Sequence, residues 1–298
     1  MSWKTVYINQ DTKVSLELNA MKITTSDGEY IKVNICDINT VIFAHEKMTI
    51  TIPLISRLVK DNVNILITDE KKDPIGIFLP FNNHSIAFKR LEIQMNWKKT
   101  TKNKLWKEII YEKINGEIHT LKKVGQPKEI TDKLKTIQND LCSADKTNRE
   151  GVAAKFYFKY MFDNKFVRFS DDATNYALNY GYKILASHIS RVIASRGYIT
   201  QLGIHHRGES NAYNLTYDFI EPFRCIIDLW VYHNIDDEFR MKHRHQLMDA
   251  LNWKVCVNNK QVYLSYAIEL IIDSYFKNLN LNSPIAKLDY SSVNYGSS

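Results

Sequence analysis

The chain has 298 residues, 44% hydrophobic and 24% charged, with 10 glycines and 6 prolines, a composition that excludes disordered and fibrous classes. Its net charge of +7 points toward an anionic partner, although charge alone fits equally well a basic protein that binds nothing acidic. The length suggests two domains, each able to bury its own core. The 4 cysteines, Cys36, Cys142, Cys225 and Cys256, form no CxxC pair and read as thiols of a reducing compartment. No apolar run approaches the roughly 18 residues of a membrane span. No apolar leader follows Met1. The expectation is a cytoplasmic protein without membrane contact.

In chain order, Thr5–Ile8, Val14–Leu18, Met21–Thr24, Tyr30–Val33 and Thr40–Phe43 alternate apolar and polar residues as half-buried strands do. Asp27-Gly28 supplies a hairpin turn signal between two of them. A helix follows, with Thr51 as its cap, Pro53 in its first turn and Leu54, Ile55, Leu58 and Val59 on one face. Residues 63–67 and 75–79 read as buried strands around the polar turn 69–73. From about Ser85 the apolar spacing becomes helical, through Ile86, Leu91, Ile93, Trp97, Leu105, Ile109 and Ile110. A helix should start near Arg149 after polar residues 143–148. The strongest helical signal is 172–195, an apolar stripe behind a capping Asp171 or Asp172. Further helices are expected at about 214–233, 237–252 and 262–279. The fold class read from this is α+β: a β-rich, sandwich-like domain over 1–95, an all-helical domain over 96–290, and a polar tail, 291–298.

Chemistry concentrates in three places: Asn148-Arg149-Glu150-Gly151, Gly203-Ile204-His205-His206, and Asp218-Phe219-Ile220-Glu221-Pro222-Phe223-Arg224. Carboxylates and imidazole suit a hard or borderline divalent metal, and a metal so held can act on phosphodiesters in a basic protein. Each residue also has an ordinary reading. Glu150 suits a helix's first turn through the dipole, and histidines are commonly structural. Asp218 and Glu221, three apart, can share a helix face. Pro222 marks either a helix start or a kink that aims Glu221.

These segments, with Asn179-Tyr180-Gly181-Tyr182, Trp3-Lys4-Thr5-Val6 and Gln94-Met95-Asn96-Trp97, resemble the CRISPR-associated adaptation integrase. The resemblance is to the branch that accompanies the single-protein RNA-guided nuclease, and it covers roughly Ser2 to Tyr232. It implies a β-domain, with a dimerisation role, before a helical catalytic domain. It also implies metal ligands Glu150, Glu221 and His206, the last lying fifteen positions before Glu221. Asp218 matches a neighbouring acidic position with a less certain metal role, and His205 receives none. The implied cofactor is Mg²⁺ or Mn²⁺. The implied activity is insertion of short duplex DNA (prespacers) into the CRISPR repeat beside its leader, with accompanying endonuclease activity. The implied assembly is a homodimer joined to a small second adaptation protein in a heterohexamer. A DNA-end-binding ring protein and the effector nuclease are further implied partners.

Lys98, Lys99, Lys102, Lys104 and Lys107, interleaved with Trp97 and Trp106, read as a phosphate-binding face or as a solvated helix face over two core tryptophans. Arg224 could reach phosphate or pair with Asp218. Rival functions are a non-catalytic architectural DNA-binding protein and a plain metal-dependent nuclease.

Overall fold

The computed structural model describes residues 4–79, 86–145 and 147–292. Trp3 and Ser85 lie outside these, as does the tail beyond Ser292. The chain divides into two compact units, Met1–Ser85 with Ala194–Arg196, and Ile86–Ile193 with Gly197–Ser298. The α+β order read from the sequence is present, strands first and helices after.

The first unit contains β1 (Lys4–Ile8), β2 (Thr12–Glu17), β3 (Ala20–Thr25), β4 (Tyr30–Asn34), β5 (Ile38–Phe43), β6 (Thr49–Ile50), α1 (Ile52–Lys60), β7 (Asn64–Thr68) and β8 (Pro74–Ile77). They form two four-stranded sheets, ordered β1-β5-β7-β8 and β4-β3-β2-β6. All six residues of β5 are buried between parallel neighbours β1 and β7, the polar Asn39 and Thr40 included, so the strand expected to be half-buried is covered on both faces. Strands β2, β3 and β4 pair antiparallel, and Gly28, at φ 85°, supplies the left-handed residue of the β3–β4 turn. Val14 and Met21 from one sheet, Val41 and Ile65 from the other, and Leu54 and Leu58 of α1 share one core. Two expectations need correcting. The Thr51 hydroxyl makes no capping bond, so Pro53 alone marks the first turn of α1. Ile75 is 66% exposed, because β8 is an edge strand and not a buried one.

The second unit comprises α2 (Ala87–Met95), α3 (Lys99–Lys123), α4 (Lys128–Asn139), α5 (Arg149–Met161), α6 (Ala173–Ser195, its last two residues counted with the first unit), α7 (Asn214–Ile220), α8 (Arg224–Asn234), α9 (Met241–Met248), β9 (Lys254–Val257), β10 (Lys260–Tyr263), α10 (Leu264–Leu281) and β11 (Leu288–Asp289). Helix α3 is its axis, buried around most of its circumference by Leu105, Trp106, Ile109, Ile110, Ile114, Ile118 and Leu121. At Gly116 a side chain would meet Cys225 Sγ at 2.5 Å and the Tyr290 ring at 2.8 Å, so glycine permits this close approach. The unit is not all-helical: β10-β9-β11 form a three-stranded sheet. Its hairpin turns on Asn258 and Asn259, both at positive φ, a pairing that suits a tight two-residue turn. The last long helix therefore begins at Leu264, two residues after the expected Val262. Residues 237–252 form only α9 and a 3-10 turn.

Candidate active site

Polar residues 143–148 build the start of α5. Asp145 accepts hydrogen bonds from the backbone amides of Arg149 (2.8 Å) and Glu150 (2.9 Å), satisfying donors that a helix start leaves open. Asn148, left-handed at φ 50°, caps the Gly151 amide at 3.3 Å. A side chain at Gly151 would meet Asn148 Oδ1 at 2.8 Å, which explains a glycine directly after Glu150. Glu150 is thereby fixed in the helix's first turn, where the dipole favours a carboxylate.

Pro222 interrupts what would be one helix. Residues Glu221–Phe223 form a 3-10 turn between α7 and α8, and Glu221 is buried at 4% exposure. Arg224 Nε donates to Glu221 Oε1 at 2.9 Å, and its guanidinium lies 4.5 Å over the Tyr182 ring. Arg224 is thus committed to Glu221 and pairs with it, not with Asp218.

Lys113 of α3 joins the two glutamates. Its ammonium donates to Glu150 Oε1 at 2.8 Å and lies 2.6 Å from Glu221 Oε2, an ion pair poorly aligned for a hydrogen bond. Burial opposes ionisation of Glu221, but Arg224 and Lys113 outweigh it and hold the carboxyl at about 2. Burial likewise disfavours the Lys113 ammonium, yet Glu221, Glu150 and Glu117 raise it above the ordinary lysine range. Glu117, one turn further along α3, is 3% exposed, and its Oε2 has no hydrogen-bond partner. Burial pushes that carboxyl up to about 8. Beneath lies Asp228, accepting from the hydroxyls of Tyr157 (3.0 Å) and Tyr182.

Asp218 organises the histidine loop. Fully buried, it accepts from the amides of Ile204 (2.6 Å), His205 (3.1 Å) and His206 (3.0 Å), and from His206 Nδ1 at 2.8 Å. A carboxylate only accepts, so Nδ1 carries the proton and Nε2 the lone pair. The hydrogen bond to Asp218 also raises the pKa of His206. Gly203 is obligatory here, since a side chain would meet the His206 carbonyl at 2.5 Å and Asp218 Oδ2 at 2.7 Å. His205 stacks on Trp106 at 4.2 Å, and burial lowers its pKa.

The structure thus gathers Glu150 and Glu221 on one cation, with His206 near enough to feel both electrostatically. Asp218, the less certain of the expected metal positions, spends both oxygens on the loop, and the role the structure shows for it is orienting His206. Among the described residues no group of three or more His, Cys, Asp or Glu stands ready to hold a metal ion, with the Lys113 ammonium between the carboxylates. The donor set nevertheless fits one. Two carboxylate oxygens already converge within 2.8 Å of a single cationic atom, and His206, which both glutamates influence electrostatically, supplies the imidazole such a set would add.

Trp97 and Trp106 are core residues, 6% and 1% exposed, so they offer no stacking platform. Lys98, Lys99 and Lys104 are exposed, while Lys107 is half-buried. Lys102 lines an open cavity of about 650 Å³ with His206, Arg207, Asn211 and Asn214. Lys113 and Glu117 were missed in the sequence. Their signal was two opposite charges, four apart, interleaved with the buried Ile110, Ile114, Ile118 and Leu121 of α3.

The fold and site define a two-unit α+β protein whose helical unit sets paired carboxylates and an oriented imidazole beside a basic cavity. Residues 6–246 match the family described as CRISPR associated protein Cas1. The chain is 31% identical over 281 residues to the CRISPR-associated endonuclease Cas1 of Neisseria meningitidis serogroup C (strain 8013), spanning 92% of this chain and 91% of that protein. Its fold is similar to a casposase bound to an integration product, with TM-score 0.76 and 22% identity over 98% of this chain and 94% of that one. It is also similar to part of a Cas6-RT-Cas1--Cas2 complex, with TM-score 0.72 and 18% identity over 94% of this chain and 35% of that one. The chain belongs to the CRISPR associated protein Cas1 family.

Proposed function

We propose that this protein is a CRISPR adaptation integrase with DNA endonuclease activity, joining prespacer 3′ ends to the repeat by metal-dependent transesterification. The observation that carries the reading is the convergence of Glu150 and Glu221 on one cation position next to a pre-oriented His206. Family membership and the likeness to a relative called an endonuclease support it. Glu150, Glu221 and His206 would hold Mg²⁺ or Mn²⁺, which when bound polarises a phosphate oxygen and stabilises developing charge. Asp218 keeps the His206 proton on Nδ1 so that Nε2 faces outward as a donor. Lys102 and Arg207 supply positive charge for the phosphate in the adjoining cavity. One P–O bond forms to the incoming 3′ oxygen as the bond to the departing 3′ oxygen breaks. The first oxygen's proton passes to solvent, and the departing one takes a proton up. Water in place of the hydroxyl gives cleavage.

Two joining events at a fixed spacing call for two active sites, hence a homodimer, for which the β-rich unit is the proposed contact. The second adaptation protein completes a heterohexamer, a reading supported by the chain's likeness to part of a Cas1–Cas2 complex. The test combines the protein, its small partner, prespacer-like DNA, supercoiled repeat DNA and Mn²⁺. Branched product is expected, and Glu150→Ala should abolish it at least about a hundredfold while DNA binding persists. Cleaved fragments alone would leave a plain nuclease. Unchanged joining by the variant would favour an architectural role for the acidic residues.

A further inference from the structure

We propose that Lys113 is a displaceable counter-cation, holding Glu150 and Glu221 together until a divalent ion takes its position, and that Glu117 then receives its ammonium. This deepens the metal-centred reading above and rests on it. One ammonium touches both carboxylates, at 2.8 and 2.6 Å, so it occupies the place that best suits a metal between them. An ammonium and a divalent ion cannot share that place: they repel, and each needs the same oxygens. Without Lys113 the two facing carboxylates, that of Glu221 buried, would repel and splay, so the lysine holds them together.

The displaced ammonium needs an acceptor, since a buried unpaired charge is strongly unfavourable. The nearby acceptors are mostly spoken for. Glu221 Oε1 is held by Arg224, and both Asp228 oxygens take tyrosine hydroxyls. Glu117 is open, 3% exposed with Oε2 lacking a hydrogen-bond partner among the described residues. Glu112 Oε2 is unpartnered too, but that residue adjoins Lys113 in sequence, where helical side chains do not face each other, and it pairs with Lys287. It sits four residues beyond Lys113 on α3, the spacing at which helical side chains meet, and it already interacts electrostatically with that lysine. Rotation about the lysine's methylene chain carries the ammonium from one position to the other without moving α3, whose flanking Ile109, Ile110 and Ile114 are fully buried. Glu117 can accept through a carboxyl oxygen whether or not it is ionised.

The test measures Mn²⁺ affinity of the metal-free full chain by titration against the free-ion EPR signal, with Tm recorded beside it. Lys113→Met should bind Mn²⁺ at least about tenfold tighter, with a lower metal-free Tm that Mn²⁺ restores. Glu117→Gln should bind several-fold more weakly without a fall in metal-free Tm. In the double variant Glu117→Gln should add nothing, because its effect runs through Lys113. Equal or weaker binding by Lys113→Met, or an undiminished Glu117→Gln effect in its absence, overturns the proposal. Should Lys113→Met fail to fold, Lys113→Gln and Glu117→Gln still decide it. Wild-type protein that binds no Mn²⁺, indistinguishably from Glu150→Gln, defeats the metal reading itself.

Discussion

Asp218 shows how a single buried carboxylate can set up a site without joining its chemistry. Three amides and one imidazole converge on its two oxygens. Hydrogen bonds to a charged acceptor are among the stronger ones, so the loop is rigid where His206 departs from it. Gly203→Ala should force that loop apart and cost about 1–3 kcal/mol in chemical denaturation, with Mn²⁺ affinity falling alongside. Asp228 offers a pH test away from the ligands. Burial raises its pKa from 3.8 to about 6, partly offset by the hydrogen bonds from Tyr182 and Tyr157, so the folded state binds the proton more tightly. Its contribution to stability is greatest below 3.8 and declines as pH rises through about 6, a change on the order of 3 kcal/mol. Asp228→Asn should flatten stability over that window in denaturation curves taken from pH 3.5 to 7, and an unchanged curve would refute the assignment. That Glu150 and Glu221 would meet was legible in the sequence only as a resemblance, and the structure brings them together on Lys113. The part Asp218 plays in the histidine loop was not legible, because a carboxylate in a motif looks alike whether it faces a metal or three backbone amides.

Among the elements, the break at Pro222 decides where Glu221 points. Proline cannot donate to the Asp218 carbonyl, and the chain answers with the 3-10 turn Glu221–Phe223. Pro222→Ala should let α7 run into α8. Thermal stability should then change by less than about 1 kcal/mol while Mn²⁺ affinity drops severalfold, comparing Tm with metal titration. The sequence left this proline as either a helix start or a kink, and the structure shows an interruption within one path. Periodicity recovered most strands and the long helices, since burial of one face writes itself into spacing. It missed β9 and β10, although Val255 and Val257 alternate before Asn258-Asn259, because the expected helix from Val262 absorbed the second strand. It also missed Lys113: the charges at 112, 113 and 117 of α3 were visible, but only contacts with the distant Glu150 and Glu221 reveal why a lysine belongs there.

For the molecule as a whole, the net charge of +7 bears on the proposed encounter with DNA. Lys98, Lys99 and Lys104 are exposed at the start of α3, and Lys102 turns toward the cavity. Replacing Lys98, Lys99 and Lys104 together by glutamine should weaken duplex binding similarly across sequences. It should also reduce the slope of log affinity against log salt by roughly 2–3, and an unaltered slope would remove this face from the DNA path. Among the described residues no helix is long and apolar enough to cross a membrane.

Tyr290 reaches across the helical unit, its hydroxyl donating to the Pro222 carbonyl at 3.1 Å and its ring filling the space kept open by Gly116. The turn bearing Glu221 is therefore clamped by a residue translated long after it. A chain cut short before Tyr290 would leave the Pro222 carbonyl without this donor and a void beside Gly116, so the turn bearing Glu221 should exchange its amide hydrogens faster than in the full chain.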